Sequence, residues 1–544
     1  MSSEQVADNR LPHDAMQPGD EAPHEEQRVS RNVAVTMAAR VGYMVTRIGI
    51  PPFVLAHIGL ESYGLWSTIF LLVNYLGIST MGISNVYIKY VAEYGAKRQY
   101  AKANSLISTG LTFTLPLCGL LFAGLYLWWP QLAHWMNIPG THMGETKEAL
   151  FVVVGVFLSS ISLNAFQDVL TGVQEIAAAQ WFWVVGYTVE MVLLFVLVGR
   201  GRGIRGMAEA FLARTVLNIA LNIWWAFKKL PWLRVSPYRC SREAMRSVLH
   251  FGGVVQVQSL LSTVINSVER FAGINVRIGL EALAIFDLAK KWPTSISTVP
   301  MSFFNAFLPA ASHLHAHTSG AERTAAIREL YLRGARQANI VSGYFFGLMA
   351  MMPVVILTVW LGKRVAYTVP LFVIFNIAMQ VHMLTGPGTS ILRGIGRIYE
   401  EFFYLVPNII FLLVALPISH AVLHAWTPMG IGCAVCVSTL LATIVLLWRA
   451  HNVLRVPIGA YFIDVLWPGA VPYIVAAIFT YPASTLIAHV GRWRGVGVLL
   501  ITGMLYSLVL GVVLDRMVLH ENEKRRWRSL WQRALSRKRS VRTA

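Results

Sequence analysis

His57–Trp66 reads HIGLESYGLW and Arg277–Phe286 reads RIGLEALAIF, so Ile-Gly-Leu-Glu occurs twice, about 220 residues apart, at positions compatible with helical membrane spans. Four residues can recur by chance in a chain with 42 glycines. What the echo means depends on what surrounds each copy.

The chain has 544 residues, 55% hydrophobic and 13% charged, with a mean hydropathy of +0.54. A soluble domain carries about a quarter charged residues; this composition is that of a polytopic membrane protein. Runs such as ALFVVVGVFLSSISLNAF, VSGYFFGLMAMMPVVILTVWLG and VGVLLITGMLYSLVLGVVL are long enough to cross the hydrocarbon core as helices, at roughly 17–25 residues each. Period-two strands are absent, which argues against a membrane barrel. Spans are expected near 33–57, 64–86, 106–128, 149–171, 180–199, 207–227, 249–270, 281–310, 337–361, 367–390, 401–424, 427–448, 461–487 and 495–515, about fourteen in all. Two carry unusual residues: 281–310 holds Lys290, Lys291 and Pro293, and 367–390 holds Gly386-Pro387-Gly388.

Lys and Arg set the orientation. With both termini in the cytoplasm, cytoplasmic segments hold about 31 of them, outer loops about 10 and spans about 5. Arg200, Arg202 and Arg205 dissent, because they fall in the outer hairpin between the fifth and sixth spans. Residues 1–30 are polar and acidic, lack a signal peptide's basic and apolar regions, and are expected to form a disordered cytoplasmic tail. The first span then acts as the insertion signal. Cys118, Cys240, Cys433 and Cys436 fall in spans or a cytoplasmic loop, where no disulfide framework is expected; Cys433 and Cys436 have CxxC spacing but are read as core packing in an apolar helix.

On this map each Ile-Gly-Leu-Glu follows the opening helix of its half and lies in a tight outer hairpin. Each leads into a second helix that ends in a polar cytoplasmic loop, and six spans separate the two. This is the pattern of parallel repeats about an axis along the membrane normal, with a substrate route between two lobes.

Ile58-Gly59-Leu60-Glu61-Ser62-Tyr63-Gly64-Leu65-Trp66, continuing through Asn74-Tyr75-Leu76-Gly77 and Met81-Gly82-Ile83 to Lys89-Tyr90-Val91-Ala92-Glu93-Tyr94, resembles the opening of polysaccharide and O-antigen flippases. These belong to the multidrug, oligosaccharidyl-lipid and polysaccharide (MOP) exporter superfamily. In the second lobe, Glu269-Arg270, Ile278-Gly279, Ala284-Ile285-Phe286 and Phe307-Leu308-Pro309 are similar to the family's seventh and eighth helices, with Glu269 in place of the usual Asp and Phe286 in place of the usual Tyr. The resemblance implies an all-α protein with two pseudo-symmetric six-helix lobes and two added C-terminal helices. It also implies transport of a polyprenyl-pyrophosphate-linked oligosaccharide across a bacterial inner membrane. The corresponding segments are a tail at 1–30, an N-lobe at 31–230, a C-lobe at 231–450, two helices at 451–516 and a basic tail at 517–544.

An ionisable residue at mid-membrane costs about 2.5–3.5 kcal/mol or more, so each marks a functional candidate. Five basic residues qualify: Arg40, Arg47, Arg214, Lys290 and Lys291. Arg40 and Arg47 share one face of the first helix, about 10 Å apart. Arg offers paired donors to phosphate oxygens and Lys a mobile point charge, so a cavity lined by them suits the pyrophosphate and sugar of the substrate. Arg40 is equally placed to reach the interface, and Lys290 or Lys291 to pair with Asp287. Asp168, Glu190 and Asp287 are candidates for coupling to a proton or sodium ion, though Glu190 also suits pairing with an Arg. Gly386, Pro387 and Gly388 weaken the tenth helix and suit a hinge or a static kink.

Other signals point to ordinary structure. Gly201-Arg-Gly203-Ile-Arg-Gly206 matches GxGxxG but lacks the preceding strand of a dinucleotide site, and no GxxxxGK[ST] occurs. His313, His315 and His317 are read as a solvated loop rather than a metal site. Trp527, Leu530, Trp531 and Leu535 recur at helical spacing among arginines, which suits a helix on anionic lipid. The net charge of +19 therefore speaks for membrane lipids, not nucleic acid. No cofactor or metal is expected, and the chain is read as a monomer that is not an enzyme, with other polysaccharide assembly proteins as conceivable partners. Competing readings are a drug antiporter of the same superfamily and a non-transporting component of an assembly complex. A membrane polymerase or ligase fits poorly, because the longest outer loop, 129–148, offers only Glu145, Lys147 and Glu148.

Overall fold

The computed structural model describes residues 21–77, 83–135, 138, 140, 143–173, 175–246, 257, 260–263, 265, 280–362, 368–423, 426–487 and 492–518. The expected seventh span, the resemblance at Glu269-Arg270 and the basic C-terminal tail lie largely or wholly outside these residues. Apart from short 3-10 and π turns, the regular structure among them is α-helical.

The N half holds α1 (Glu21–Leu76), α2 (Ile83–Ala96), α3 (Tyr100–Leu127), α4 (Trp129–Trp135), α5 (Met143–Leu163), α6 (Ala165–Gly172), α7 (Ile176–Gly199) and α8 (Gly203–Lys229). The C half holds α9 (Leu280–His317), α10 (Gly320–Met351), α11 (Pro353–Leu361), α12 (Thr368–Met383), α13 (Gly386–Gly394), α14 (Phe402–Leu423) and α15 (Pro428–Leu454). Then follow α16 (Ile458–Tyr461), a π turn, α17 (Trp467–Ile487) and α18 (Arg492–Val513). Nine helices are long and apolar enough to cross a membrane, or ten if a bent pair is one span, among the described residues.

The first Ile-Gly-Leu-Glu is a chain reversal. Gly59 breaks α1 with φ 78° and ψ 175°, a backbone region open in practice only to glycine. The second copy leads into α9 at Leu280. The halves share further detail. The fourth span breaks at Asn164 between α5 and α6, and its counterpart breaks at Leu384–Thr385 between α12 and α13. Both then end in the same reversal: Glu175 N–H donates to the Leu170 carbonyl and Arg397 N–H to the Leu392 carbonyl, each at 2.8 Å, the six-to-one bond of a Schellman motif. The last helices of the two halves, α8 and α15, both have 27 residues.

Several sequence expectations need correction. α1 starts at Glu21, inside the expected polar tail. The span placed at 337–361 is two helices, α10 and α11, bent by 74°; Pro353 lacks the N–H that would continue the helix and its ring crowds the preceding turn. The span at 281–310 instead passes through Pro293, Pro300 and Pro309 as one helix to His317, so the His313–His317 stretch is helical rather than a loop. Cys433 is exposed on the outer face of α15 and is not core packing. Two of the three dissenting arginines of the outer hairpin have local partners: Arg202 pairs with Glu209 at 2.7 Å and Arg205 with Glu148 at 2.9 Å.

One apolar cluster joins the halves at the hairpin end, bringing Val54, Tyr63, Val198 and Met207 against Phe286, Phe346, Trp360 and Phe372. At the opposite, loop end each half closes on its own cluster, around Tyr87, Leu106 and Leu170 in one and Ala311, Tyr331 and Leu392 in the other. α17 and α18 pack on α10 and α11. Gly343 and Gly347 of α10, a G-x-x-x-G pair, let α17 approach so closely that a methyl group on Gly343 would lie 2.9 Å from the Gly469 carbonyl oxygen.

Candidate functional site

α1 turns back at Gly59, which places Tyr63 at the head of its second segment, against the first turns of α9. There the Tyr63 hydroxyl donates to Asp287 Oδ2 at 2.7 Å. Lys291, one helical turn further along α9, donates to the same oxygen at 3.2 Å. Asp287 and Lys291 are 12% and 16% exposed, so one carboxylate serves both a bond across the halves and a buried ion pair. Nearby, Trp360 Nε1 donates to the Ile48 carbonyl of α1.

A second pair lies within the N half. Arg214 of α8 donates to Glu190 of α7 at 3.0 Å, with 20% and 14% of the two side chains exposed. The guanidinium group sits between the Tyr187 and Phe211 rings, 4.7 and 4.6 Å from their centroids, one turn before Glu190 and Arg214 on the respective helices. Gly186 makes room, since a methyl group there would meet Arg214 Cγ at 3.3 Å. Arg214 lies eleven residues into α8, about 16 Å along its axis, so both charges are deep in their spans.

Lys290 and Lys291 are adjacent yet part company, because successive helical residues point about 100° apart. Lys291 faces Asp287 at the junction. Lys290 turns into the C half, with its ammonium 5.8 Å from the Phe375 ring centroid, and lines a cavity of about 350 Å³ between α9, α12, α13, α14 and α15. His382, Thr389, Ser390 and Glu401 share that wall.

The remaining candidates scatter. Asp168 lies on α6 and takes a hydrogen bond from Ser84 of α2, away from the junction. Arg40 and Arg47 lie on α1, with side chains outside the described residues. Gly386, Pro387 and Gly388 form the first turn of α13, and the helix breaks just before them. Gly386 is a contact point, because a methyl group there would lie 2.0 Å from Phe304 Cε2.

The structure thus joins Asp287 to Lys291 and Glu190 to Arg214, while Lys290 lines the C-half cavity and Asp168 lies on α6. Three residues escaped the sequence reading. Tyr63 stood inside the echoed stretch and entered the sequence reading only through the family resemblance. His382 lay in a predicted span, and ionisability at depth was the signal for it. Glu401 lay at a predicted span boundary.

The fold matches solved transporters. An inward-facing multidrug resistance transporter of the MATE family of the MOP superfamily superposes with a TM-score of 0.63 at 16% identity, over 77% of this chain and 98% of that one. The lipid II flippase MurJ, in an inward closed conformation, superposes with a TM-score of 0.61 at 10% identity, over 90% of this chain and 99% of that one. An outward-facing MATE family transporter gives 0.53 at 15% identity, over 78% and 93%. No curated protein sequence matches. The model of the family described as polysaccharide biosynthesis protein matches residues 29–315, more than half of the chain, and the protein is a multi-pass membrane member of that family with the MOP transporter fold.

Proposed function

We propose that the protein flips a polyprenyl-pyrophosphate-linked oligosaccharide from the cytoplasmic to the outer leaflet of a bacterial inner membrane by alternating access. The observation that carries this reading is the pair of buried cation–carboxylate contacts, Arg214–Glu190 in one half and Lys291–Asp287 at the junction. A lone charge at such depth costs several kcal/mol; pairing it lets the empty carrier change shape without dragging a bare charge through hydrocarbon. An arriving pyrophosphate competes for the same cations, Arg214 by paired donors and Lys291 by point charge. Arg40 and Arg47 on α1 complete the cationic lining in this reading.

Glu190 and Asp287 then serve as resident counter-ions that the substrate displaces. A proton or sodium ion taken up by the released carboxylate would couple transport to an ion gradient; Asp168, apart from both pairs, has a weaker place in that scheme. The shared apolar cluster at the hairpin end and the separate clusters at the loop end suit a carrier open toward the cytoplasm. The Gly386-Pro387-Gly388 turn serves as packing against Phe304 more readily than as a hinge. The protein acts as a monomer in this scheme, and no bond is made or broken.

The test is a proteoliposome assay with a fluorescent polyprenyl-pyrophosphate oligosaccharide, comparing the intact protein with Arg47→Ala and Lys290→Ala/Lys291→Ala. Flipping that collapses in the variants at unchanged thermal stability supports the reading. No flipping by the intact protein rejects it.

A further inference from the structure

The two halves follow one plan, so each is a control for the other. Twelve residues beyond Ile278 stands Lys290; twelve beyond Ile58 stands Phe70, which meets the Phe211 ring edge-on at 5.5 Å beside Leu65, Ile69 and Val153. Counted back from the shared reversal at Arg397 and Glu175, His382 aligns with Ser160, whose hydroxyl returns to the Phe157 carbonyl of its own helix at 2.7 Å. Four residues beyond the reversal at Arg397 stands Glu401; four beyond Glu175 stands Ala179, which is buried. The N half therefore builds the same framework from an aromatic ring, a self-satisfied hydroxyl and a methyl group. Packing does not require the cation, the imidazole and the carboxylate found in the C half.

Those groups line the C-half cavity together with Thr389, Ser390 and Thr439. Its volume of about 350 Å³ lies at the lower end of the roughly 300–1,000 Å³ of small-molecule sites. His382 Nδ1 is buried without a hydrogen-bond partner among the described residues. Glu401 is engaged by Arg393, whose Nε donates at 3.1 Å and a second guanidinium nitrogen also reaches it. The cavity wall follows the end of α12, the break at Leu384–Thr385 and the first turn of α13, from His382 to Ser390. An ammonium group, an imidazole and several hydroxyls converge there.

We propose that this cavity is an oxyanion subsite, separate from the Arg214 and Lys291 pairs, which takes one phosphate or carboxylate group. Lys290 supplies a point charge to it, His382 a ring nitrogen, and Ser390 and Thr439 hydroxyl groups. The group comes either from the transported molecule or from free anion in the cytoplasm; the first source rests on the flippase reading and the second does not.

The experiment titrates the full-length protein in lipid nanodiscs with inorganic phosphate and with glucuronate, using glucose as the neutral control and calorimetry as the readout. Phosphate binding is expected to weaken at least tenfold in Lys290→Met and to persist in Lys290→Arg and in the surface control Lys97→Met, with size-exclusion profile and thermal stability unchanged. Displacement of bound phosphate by the polyprenyl-pyrophosphate oligosaccharide assigns the site to the substrate, and lack of displacement assigns it to free anion; either supports the subsite. Failure of the intact protein to bind either anion, or equal binding by Lys290→Met, overturns it. Flipping without Lys290-dependent binding removes the subsite and leaves the flippase standing, whereas Lys290-dependent binding by a protein that flips nothing does the reverse.

Discussion

In the N half the segment after the Gly59 turn packs Leu65, Ile69 and Val73 into an apolar cluster; in the C half the corresponding segment carries Asp287, Lys290 and Lys291. The same position in two copies of one framework is apolar in the first and charged in the second. Parallel repeats make such a comparison possible, because helix length, break and reversal are held nearly constant. At the Phe70 and Lys290 position the C half carries a charge where the N half packs a ring, while the rest of the segment, with Ala284, Phe286 and Leu288, is packed in both. The loop ends differ in the same sense: the reversal after α13 is pinned by Arg449, which donates to buried Glu400 at 2.7 and 3.1 Å, whereas the matching turn after α6 carries Glu175 alone of the charged types.

Exchanging the two residues is the sharpest way to break the comparison. Phe70→Lys puts an ammonium group where the cluster offers it no partner and removes an aromatic contact. We expect a loss of about 5 kcal/mol, the sum of a mid-depth charge and a truncated ring, read as loss of folded protein or a steep fall in Tm in detergent. The reverse exchange, Lys290→Met, is expected to cost far less stability than Phe70→Lys, since it keeps an unbranched apolar stem beside Phe375 and adds no charge to an apolar cluster, while flipping falls. Comparable destabilisation by both would show that Lys290 has a structural task like that of Phe70.

Next in size is the junction. Asp287→Ala takes from Lys291 the carboxylate it pairs with, at a cost of about 3–5 kcal/mol. Asp287→Ala/Lys291→Met should recover most of that stability, because the charge goes with its partner. The analogous cycle in the N half, Glu190→Ala against Glu190→Ala/Arg214→Met, should show a smaller first step, because the Tyr187 and Phe211 rings still hold the guanidinium group. Equal first steps in thermal unfolding would remove the role assigned to those rings.

The duplicated plan was legible in Ile-Gly-Leu-Glu, since the glycine marks a reversal that a helix cannot make otherwise. The ionisable residues were legible too, because hydrocarbon makes each of them costly. Pairing was only half legible: Asp287 and Lys291 are one turn apart on one helix, but Glu190 and Arg214 meet across two helices, and sequence spacing does not fix the rotation of one helix against another. The same rotation decides why Lys290 and Lys291 go separate ways. The break at Asn164 gave no warning, having neither proline nor glycine beside it, and the 74° bend at Pro353 was hidden in a continuous apolar run.

The smallest expected effect on stability belongs to Tyr63→Phe, and it is the one that bears most directly on how the halves move. The substitution keeps the ring in its cluster and removes only the hydroxyl that bonds Asp287 across the junction. Lys291 still pairs with the carboxylate, so no charge is stranded, and the loss is that of one hydrogen bond to a charged group, about 1.5 kcal/mol. If that bond exists only while the hairpin ends are together, its loss falls on one conformation alone and shifts the ratio of hairpin-closed to hairpin-open protein about tenfold. Spin labels at Lys97 and Arg323, near the loop ends of the two halves, report the shift as a larger fraction of short distances in Tyr63→Phe than in the intact protein. An unchanged distance distribution would mean that the bond survives the conformational change or that the apolar cluster alone holds the junction. In either case Asp287 would be left as the partner of Lys291 and nothing more.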